Sequence, residues 1–248
     1  MEPLSIFLNG YKGRMGQAII AESANQNAVV SGKADIDEPV DPAALQACDV
    51  VVDFSFHAVT PELAKLCANA KKPLVIGTTG HTPQERAQIE SIAKQIPIVW
   101  AGNYSVGVNL LNYLVGKAAT ILGPQYNIEI VEMHHRHKKD APSGTAEKLV
   151  QIVRQARKLS EDQVCYGRHG ITGERPDDQI GMHALRGGDV VGDHTVIFAG
   201  EGERVELSHK ASSRAIFAQG ALRAAHWLAE GKGGAGGIHG MEEVLDLK

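Results

Sequence analysis

Between Glu132 and Ala146 the chain reads EMHHRHKKDAPSGTA, where His134, His135 and His137 interleave with Arg136, Lys138 and Lys139. Such a cluster can do two kinds of chemistry. Its permanent cations can receive a small di-anion, and an imidazole can give or take a proton near neutral pH. Asp140-Ala141-Pro142 signals a turn, and Ser143-Gly144-Thr145 then opens an amphipathic helix. The free N–H groups of Ser143, Gly144 and Thr145 can hold a carboxylate, which the helix dipole favours. A solvated charge run is the plain alternative. A zinc site is another, but the three histidines are too close in sequence for a standard ligand set and no Cys-x-x-Cys assists them. No metal is expected.

The elements that must position this cluster are a strand before it and a helix after it. Asn127 to Met133 is a β-type run, and about Thr145 to Lys158 has helical spacing. Gln179 to Leu185, Asp193 to Ala199 and Arg204 to His209 read as strands with one solvated face. Together they predict a mixed or antiparallel sheet in an α+β domain. Ser160 to Asp178 is polar and glycine-containing, and reads as a long mobile loop.

The first hundred residues follow a different grammar. Leu4 to Leu8, Ala28 to Ser31, Val50 to Phe54, Leu74 to Ile76 and Ile96 to Trp100 are short apolar strands. Helices intervene: one begins near Met15, and one is opened by Thr60-Pro61-Glu62, with Thr60 as N-cap and Pro61 in the first turn. A third follows the capping box Thr82-Pro83-Gln84-Glu85. Continuous apolar strands alternating with helices predict a parallel sheet covered on both faces. Val108 to Leu122 is a long apolar helix ended by Gly123-Pro124. Ala215 to Ala229 is helical, and Gly231 to Gly240 reads as a flexible connector.

The first strand runs into Gly10-Tyr11-Lys12-Gly13-Arg14-Met15-Gly16 and then a helix, the context a phosphate cradle requires. A glycine turn without a ligand is the alternative. Asp35, at the end of the second strand, can bind the ribose hydroxyls of an adenosine and repel a 2′-phosphate. Ile36 offers a phosphate nothing, whereas Lys12, Arg14 and Lys33 could reach one; on balance NADH is favoured over NADPH. Gly77-Thr78-Thr79-Gly80 and Ala101-Gly102-Asn103-Tyr104 follow two further strands into the same crevice, where small and hydroxyl residues let a flat nicotinamide approach.

Composition bounds the partners. In 248 residues, 43% apolar and 22% charged, the formal net charge is −4, which argues against bulk binding of nucleic acid or anionic membrane. Cys48, Cys67 and Cys165 are few and odd in number, as suits a reducing cytoplasm. The N-terminus lacks a basic flank and long apolar core, and no run approaches transmembrane length. A cytoplasmic protein is expected.

Taken together, VEMHHRHKKDAPSGTA, GYKGRMG, VIGTTG, GNYSVGVN and the late HKASSR resemble the dihydrodipicolinate reductase family, the 4-hydroxy-tetrahydrodipicolinate reductases of lysine and diaminopimelate biosynthesis. The resemblance runs from Gly10 to about Trp227. It implies a homotetramer with a Rossmann dinucleotide-binding domain over 1–105, completed by 215–248, and a substrate-binding and oligomerisation domain over 106–214. It also implies that the helix after Arg214 packs back on the Rossmann half. The change from strand–helix alternation to a mixed sheet after Val108 predicts two domains joined by hinges near Ser105 and Arg214, which let the halves close.

By the same resemblance, Gly10, Tyr11, Lys12, Gly13, Arg14 and Met15 hold the pyrophosphate and Asp35 the ribose. Gly77, Thr78, Thr79, Ala101, Gly102, Asn103 and Tyr104 line the nicotinamide side, and Arg214 is counted with the cofactor ligands. His134 is the proton donor and acceptor and Lys138 a proton donor, while His135, Ser143, Gly144 and Thr145 bind substrate. Ile36 stands where an NADPH-using member can carry arginine. Gly102 and Tyr104 are variants, and 160–178 does not align. The implied reaction is NADH- or NADPH-dependent reduction of a cyclic imine dicarboxylate with loss of water, and two carboxylates account for the cation density. Another two-domain nicotinamide-dependent amino-acid dehydrogenase would have no reason for the HHxxK-APSGT string. A non-catalytic dinucleotide-sensing module would leave the histidines idle.

Overall fold

The computed structural model describes residues 2–247. In chain order the strands are β1 (Leu4–Asn9), β2 (Ala28–Ala34), β3 (Val50–Asp53), β4 (Leu74–Ile76), β5 (Pro97–Trp100), β6 (Asn127–His134), β7 (Val164–Cys165), β8 (Ile180–Arg186), β9 (Gly192–Gly200), β10 (Glu203–Ala211) and β11 (Gly237–His239). The helices are α1 (Arg14–Ser23), α2 (Pro42–Ala47), α3 (Thr60–Ala70), α4 (Pro83–Ile92), α5 (Val106–Leu122), α6 (Gly144–Arg157), α7 (Ala215–Ala229) and α8 (Met241–Val244). The chain forms two compact units, Met1–Val106 with Arg214–Lys248, and Gly107–Ser213.

The first unit is an α/β layer structure of Rossmann type. Its sheet has the order β11-β5-β4-β3-β1-β2, every pair parallel. One face packs Ile6, Leu8 and Val52 against Ile19 of α1 and Ala221 and Leu222 of α7. The other packs Phe7, Val51 and Ile76 against Leu63 and Cys67 of α3 and Ile89 of α4. Burial on both faces is why β1, β3 and β4 are continuous apolar runs, whereas β2, at the sheet edge, is partly exposed and carries Ser31 and Lys33. Strand order reverses at β1, between β2 and β3, so the glycine turn after β1 opens at the point where such sheets bind ligands.

The second unit is α+β. Its sheet runs β10-β9-β6-β8-β7, with β6 antiparallel to β9 and parallel to β8. Helices α5 and α6 cover one face through Leu111, Val115, Leu149 and Val153, against Ile128, Ile130, Val196 and Phe198. Along β6 the buried positions alternate as Ile128, Ile130, Glu132 and His134. Burying each isoleucine stabilises by roughly 2 kcal/mol. Those anchors hold the register, since a slip by one residue would turn Glu132 and His134 to the opposite face.

Several expectations need correcting. Thr60 does not cap α3: Val59 takes that position, and the Thr60 hydroxyl donates to Asp53 Oδ2 at 2.8 Å. The 160–178 stretch is not a free loop. It contains β7, paired with β8, and Arg168 and Arg175 both ion-pair with Glu129 on β6. The glycine-rich 231–240 stretch carries β11, which pairs with β5 at the sheet edge. Val106–Gln125 is long and apolar enough to cross a membrane by length and composition, so the statement that no run approaches that length does not hold. This helical stretch buries Leu111, Val115 and Ala119 in the second unit and leaves Leu110, Leu114 and Ile121 exposed.

Candidate active site

At the carboxyl end of β6 the buried face of the strand turns from apolar to ionic. Glu132 is 0% exposed, and its carboxylate accepts from His134 Nδ1 (2.5 Å), from both terminal nitrogens of Arg186 (2.9 Å each) and from the Ser143 N–H (3.2 Å). Burial alone would raise its pKa, but the Arg186 and His134 hydrogen bonds outweigh it and hold the group below the usual carboxylate range. The carboxylate therefore carries its charge at neutral pH. With His134 Nδ1–H donated to Glu132, Nε2 is the nitrogen left for chemistry. Arg186 reaches this point because β8 runs parallel to β6 with Arg186 opposite His134.

Ser143 is the N-cap of α6, and its Oγ accepts from the Ala146 N–H at 3.2 Å. The same oxygen lies 3.1 Å from Nε2 of His194, which is 4% exposed. The two atoms share one hydrogen bond, in which the hydroxyl donates to a bare Nε2 or accepts from its N–H according to the ring tautomer. Burial, then the proximity of His134, pushes His194 down to about 4. The His134 and His194 rings meet edge to face with centroids 5.2 Å apart.

Lys138 pairs with Asp140 at 2.9 Å, which lowers the Asp140 carboxyl. The turn itself is held by main-chain bonds, from His135 N–H to the Val190 carbonyl and from Lys138 N–H to the His135 carbonyl. Gly144 and Thr145 lie in the first turn of α6. Of the residues expected at this site, Ser143, a substrate ligand, is thus joined to Glu132 and His194, while Lys138, a proton donor, is held by Asp140. Sequence reading missed Glu132, Arg186 and His194. Glu132 carried a signal, being two residues from His134 on one strand and hence on the same face. Arg186 and His194 had none.

In the first unit Gly10 has φ +82°, and a Cβ there would stand 2.3 Å from the Phe54 carbonyl oxygen. At Gly16 a Cβ would stand 2.4 Å from the Gly10 carbonyl oxygen. Gly13 precedes α1, and no side chain caps the first N–H groups of that helix. A cleft of about 510 Å³ opens beside the turn, lined by Gly10, Gly13, Asp35, Ile36, Ser55 and Phe56 among others. Asp35 accepts from the Lys12 and Ile36 N–H groups at 2.8 and 2.9 Å. Glycines that only a bare backbone can occupy, an uncapped helix start and a carboxylate at the end of β2 fit a dinucleotide.

Other expected cofactor residues are placed differently. Tyr104 is in the core, its hydroxyl shared between the Ile76 and Val99 carbonyls, so its side chain offers the nicotinamide nothing. Met15 packs its side chain against the core, leaving only its main chain for a ligand. Thr78 is buried and donates to Asp53, as does Thr60. Asn9 and Ser55 also donate to Asp53, at 2.8 and 2.5 Å, so this one buried carboxylate ties together the ends of β1, β3 and β4. Thr79 and Gly102 are exposed, Asn103 accepts from the Ser105 N–H, and Arg214 is exposed at the start of α7.

Residues 4–104 match the family described as dihydrodipicolinate reductase, N-terminus, and residues 107–245 match dihydrodipicolinate reductase, C-terminus. A 4-hydroxy-tetrahydrodipicolinate reductase of Akkermansia muciniphila is 55% identical over 98% of this chain and 98% of its own. One from Trichlorobacter lovleyi is 40% identical over 99% of this chain and 100% of its own. Among solved structures, dipicolinate-bound dihydrodipicolinate reductase from Paenisporosarcina sp. TG-14 shares the fold, with a TM-score of 0.78 at 24% identity over 97% of this chain and 98% of that one.

Proposed function

The chain belongs to the dihydrodipicolinate reductase family, and on that premise we propose which of its residues perform the family's reaction. The activity is reduction of 4-hydroxy-tetrahydrodipicolinate to tetrahydrodipicolinate with loss of water, in diaminopimelate and lysine biosynthesis, and a bound nicotinamide supplies the hydride. The observation that carries the assignment is the buried Glu132 carboxylate aimed at His134 Nδ1. It orients the imidazole and leaves Nε2 to deliver a proton to the ring atom next to the site of reduction.

Lys138 supplies a second cation, and a substrate carboxylate can compete with exposed Asp140 for it. His135 and the N–H groups of Gly144 and Thr145 hold the two carboxylates, while the Ser143 N–H, expected from the sequence to do so as well, is taken by Glu132. The Paenisporosarcina relative is described with dipicolinate, a dicarboxylate, which supports that reading. The turn from Gly10 to Met15 faces the pyrophosphate and offers it the N–H groups at the start of α1, since those of Gly10, Lys12 and Gly13 are already bonded to Ala34, Asp35 and Gly10. Gly77 to Thr79, with Ala101 to Asn103, line the nicotinamide side. Asp35 favours NADH over NADPH by repelling a 2′-phosphate. We place the enzyme in the cytoplasm as a homotetramer, which light scattering of the purified protein would check.

The test is consumption of NADH or NADPH when the product of dihydrodipicolinate synthase is supplied, with His134→Gln and Thr145→Val beside the wild type. Loss of kcat in the first and a raised KM in the second support the assignment. Unchanged kinetics in both would remove it. A preference for NADPH of about tenfold, roughly 1.4 kcal/mol, would overturn the NADH reading alone.

A further inference from the structure

We propose that Asp37 and Glu38 set the cofactor preference by withholding Lys12 from a 2′-phosphate, an inference that rests on the dinucleotide reading of the first unit. Lys12 lies in the glycine turn, and its N–H donates to Asp35 Oδ2, the carboxylate assigned to the adenosine ribose. An ammonium on this residue is therefore close to where a phosphate on the 2′-oxygen would stand. Left to itself, it would be the natural counter-charge for NADPH.

It is not left to itself. Lys12 Nζ sits 2.7 Å from Asp37 Oδ1 and 3.1 Å from Glu38 Oε1. The second oxygen of Glu38 accepts from the Tyr11 hydroxyl at 2.8 Å. Asp35 and Glu38 exchange both main-chain hydrogen bonds at 3.0 Å, closing a tight turn that presents Asp37 and Glu38 to the same ammonium. Hydrogen bonds to Asp37 and then Glu38 push the Lys12 ammonium up, and Asp37 is correspondingly lowered by Lys12. Lys33, a second cation able to reach a phosphate, lies over the Tyr11 ring at 4.7 Å. Ile36, 99% exposed within this acidic turn, adds no charge.

A single exposed ion pair is weak. Here two carboxylates share one ammonium while a third, Asp35, faces the ribose position. A 2′-phosphate must displace both partners and still meet surplus negative charge. A ribose hydroxyl needs neither. Discrimination then comes from repulsion as much as from attraction.

The test is calorimetric binding of NADH and NADPH to the wild type, to Asp37→Asn/Glu38→Gln and to the same double variant carrying Lys12→Ala. Asp35 is kept in all three, and the substituted side chains are exposed, so folding is checked by melting. The ratio of the NADPH to the NADH Kd should fall by about tenfold or more in the double variant and return close to the wild-type value in the triple variant. An unchanged ratio in the double variant overturns the proposal. A fall that persists without Lys12 also overturns it, because the carboxylates would then act through their field alone. If the wild type binds NADPH as tightly as NADH, the NADH preference fails, yet the change between variants still decides whether the latch exists. If the wild type binds neither nucleotide, the dinucleotide reading and the latch fall together.

Discussion

His134 Nδ1 lies 2.5 Å from the carboxylate of Glu132, two residues earlier on the same buried face of β6. Because Arg186 and the Ser143 N–H hold that carboxylate from other sides, it is a fixed acceptor that can orient the imidazole. A strand is well suited to this pairing, since alternate residues share a face with little rotational freedom.

Replacing His134 by Gln should lower kcat by ~10²–10⁴ with KM little changed, as removal of a positioned general acid does. Glu132→Gln keeps the volume but removes the charged acceptor that orients the imidazole. It should cost about tenfold or more in kcat, as loss of an orienting carboxylate does. Steady-state kinetics, with NADH binding shown to be intact, measure both. Rates within about threefold of wild type for both variants would remove this pair from the mechanism.

Gly192, at the start of β9, is where a Cβ would stand 2.9 Å from His134 Nε2. Gly192→Ala should displace the imidazole while leaving the strand paired. The expected loss is roughly tenfold to a hundredfold in kcat, because small misplacements of a catalytic group are costly. An unaltered kcat would show that the ring has room to spare.

His194 predicts a pH dependence of stability. Glu132, His134, His209 and Lys138 act on this ring, and burial is the largest effect, holding it at about 4 against the ordinary 6.5. Between those values the unfolded chain takes up a proton that the folded chain refuses. Stability therefore falls as pH drops from 6.5 to 4, by up to about 3 kcal/mol from this group. His194→Gln keeps an acceptor for Ser143 and should flatten that slope in urea titrations at stepped pH. A slope equal to that of the wild type would refute it.

Glu129 predicts the opposite kind of anchor on the other face of the sheet. Burial raises its pKa, but Arg168, Arg175 and His183 outweigh that and hold it at about 2. A depressed carboxyl stabilises the fold above its unfolded value of 4.5, and that stability is lost as pH falls toward 2. Glu129→Gln should cost about 2 kcal/mol, less than a fully buried pair, and should expose 160–178 to limited proteolysis. Unchanged cleavage in the variant would show that β7 holds the segment without the ion pairs.

What the sequence by itself determined is whatever depends on near neighbours along the chain. The Thr82–Glu85 capping box forms as read, with both reciprocal hydrogen bonds, because its partners are three residues apart. The turn from Gly10 to Gly16 and the strand–helix alternation of the first unit were legible for the same reason. So was the mixed sheet, through strands with one solvated face. The HHxxKxDAPSGTA string spans the end of β6 and the start of α6, and was legible as a strand end and helix start because its residues are contiguous. Only the tertiary structure decided the partners. Arg186 meets Glu132 across 54 residues because β8 lies parallel beside β6, and His194 meets Ser143 across 51 because β9 lies on the other side. Asp53 drew Thr60 away from a capping role, and Asp37 and Glu38 took Lys12. Apolar on several sides, α5 gave no sign of which face it would bury. Periodicity reports which residues share a face, whereas strand order and register choose what that face meets, and those are settled by packing the whole chain at once.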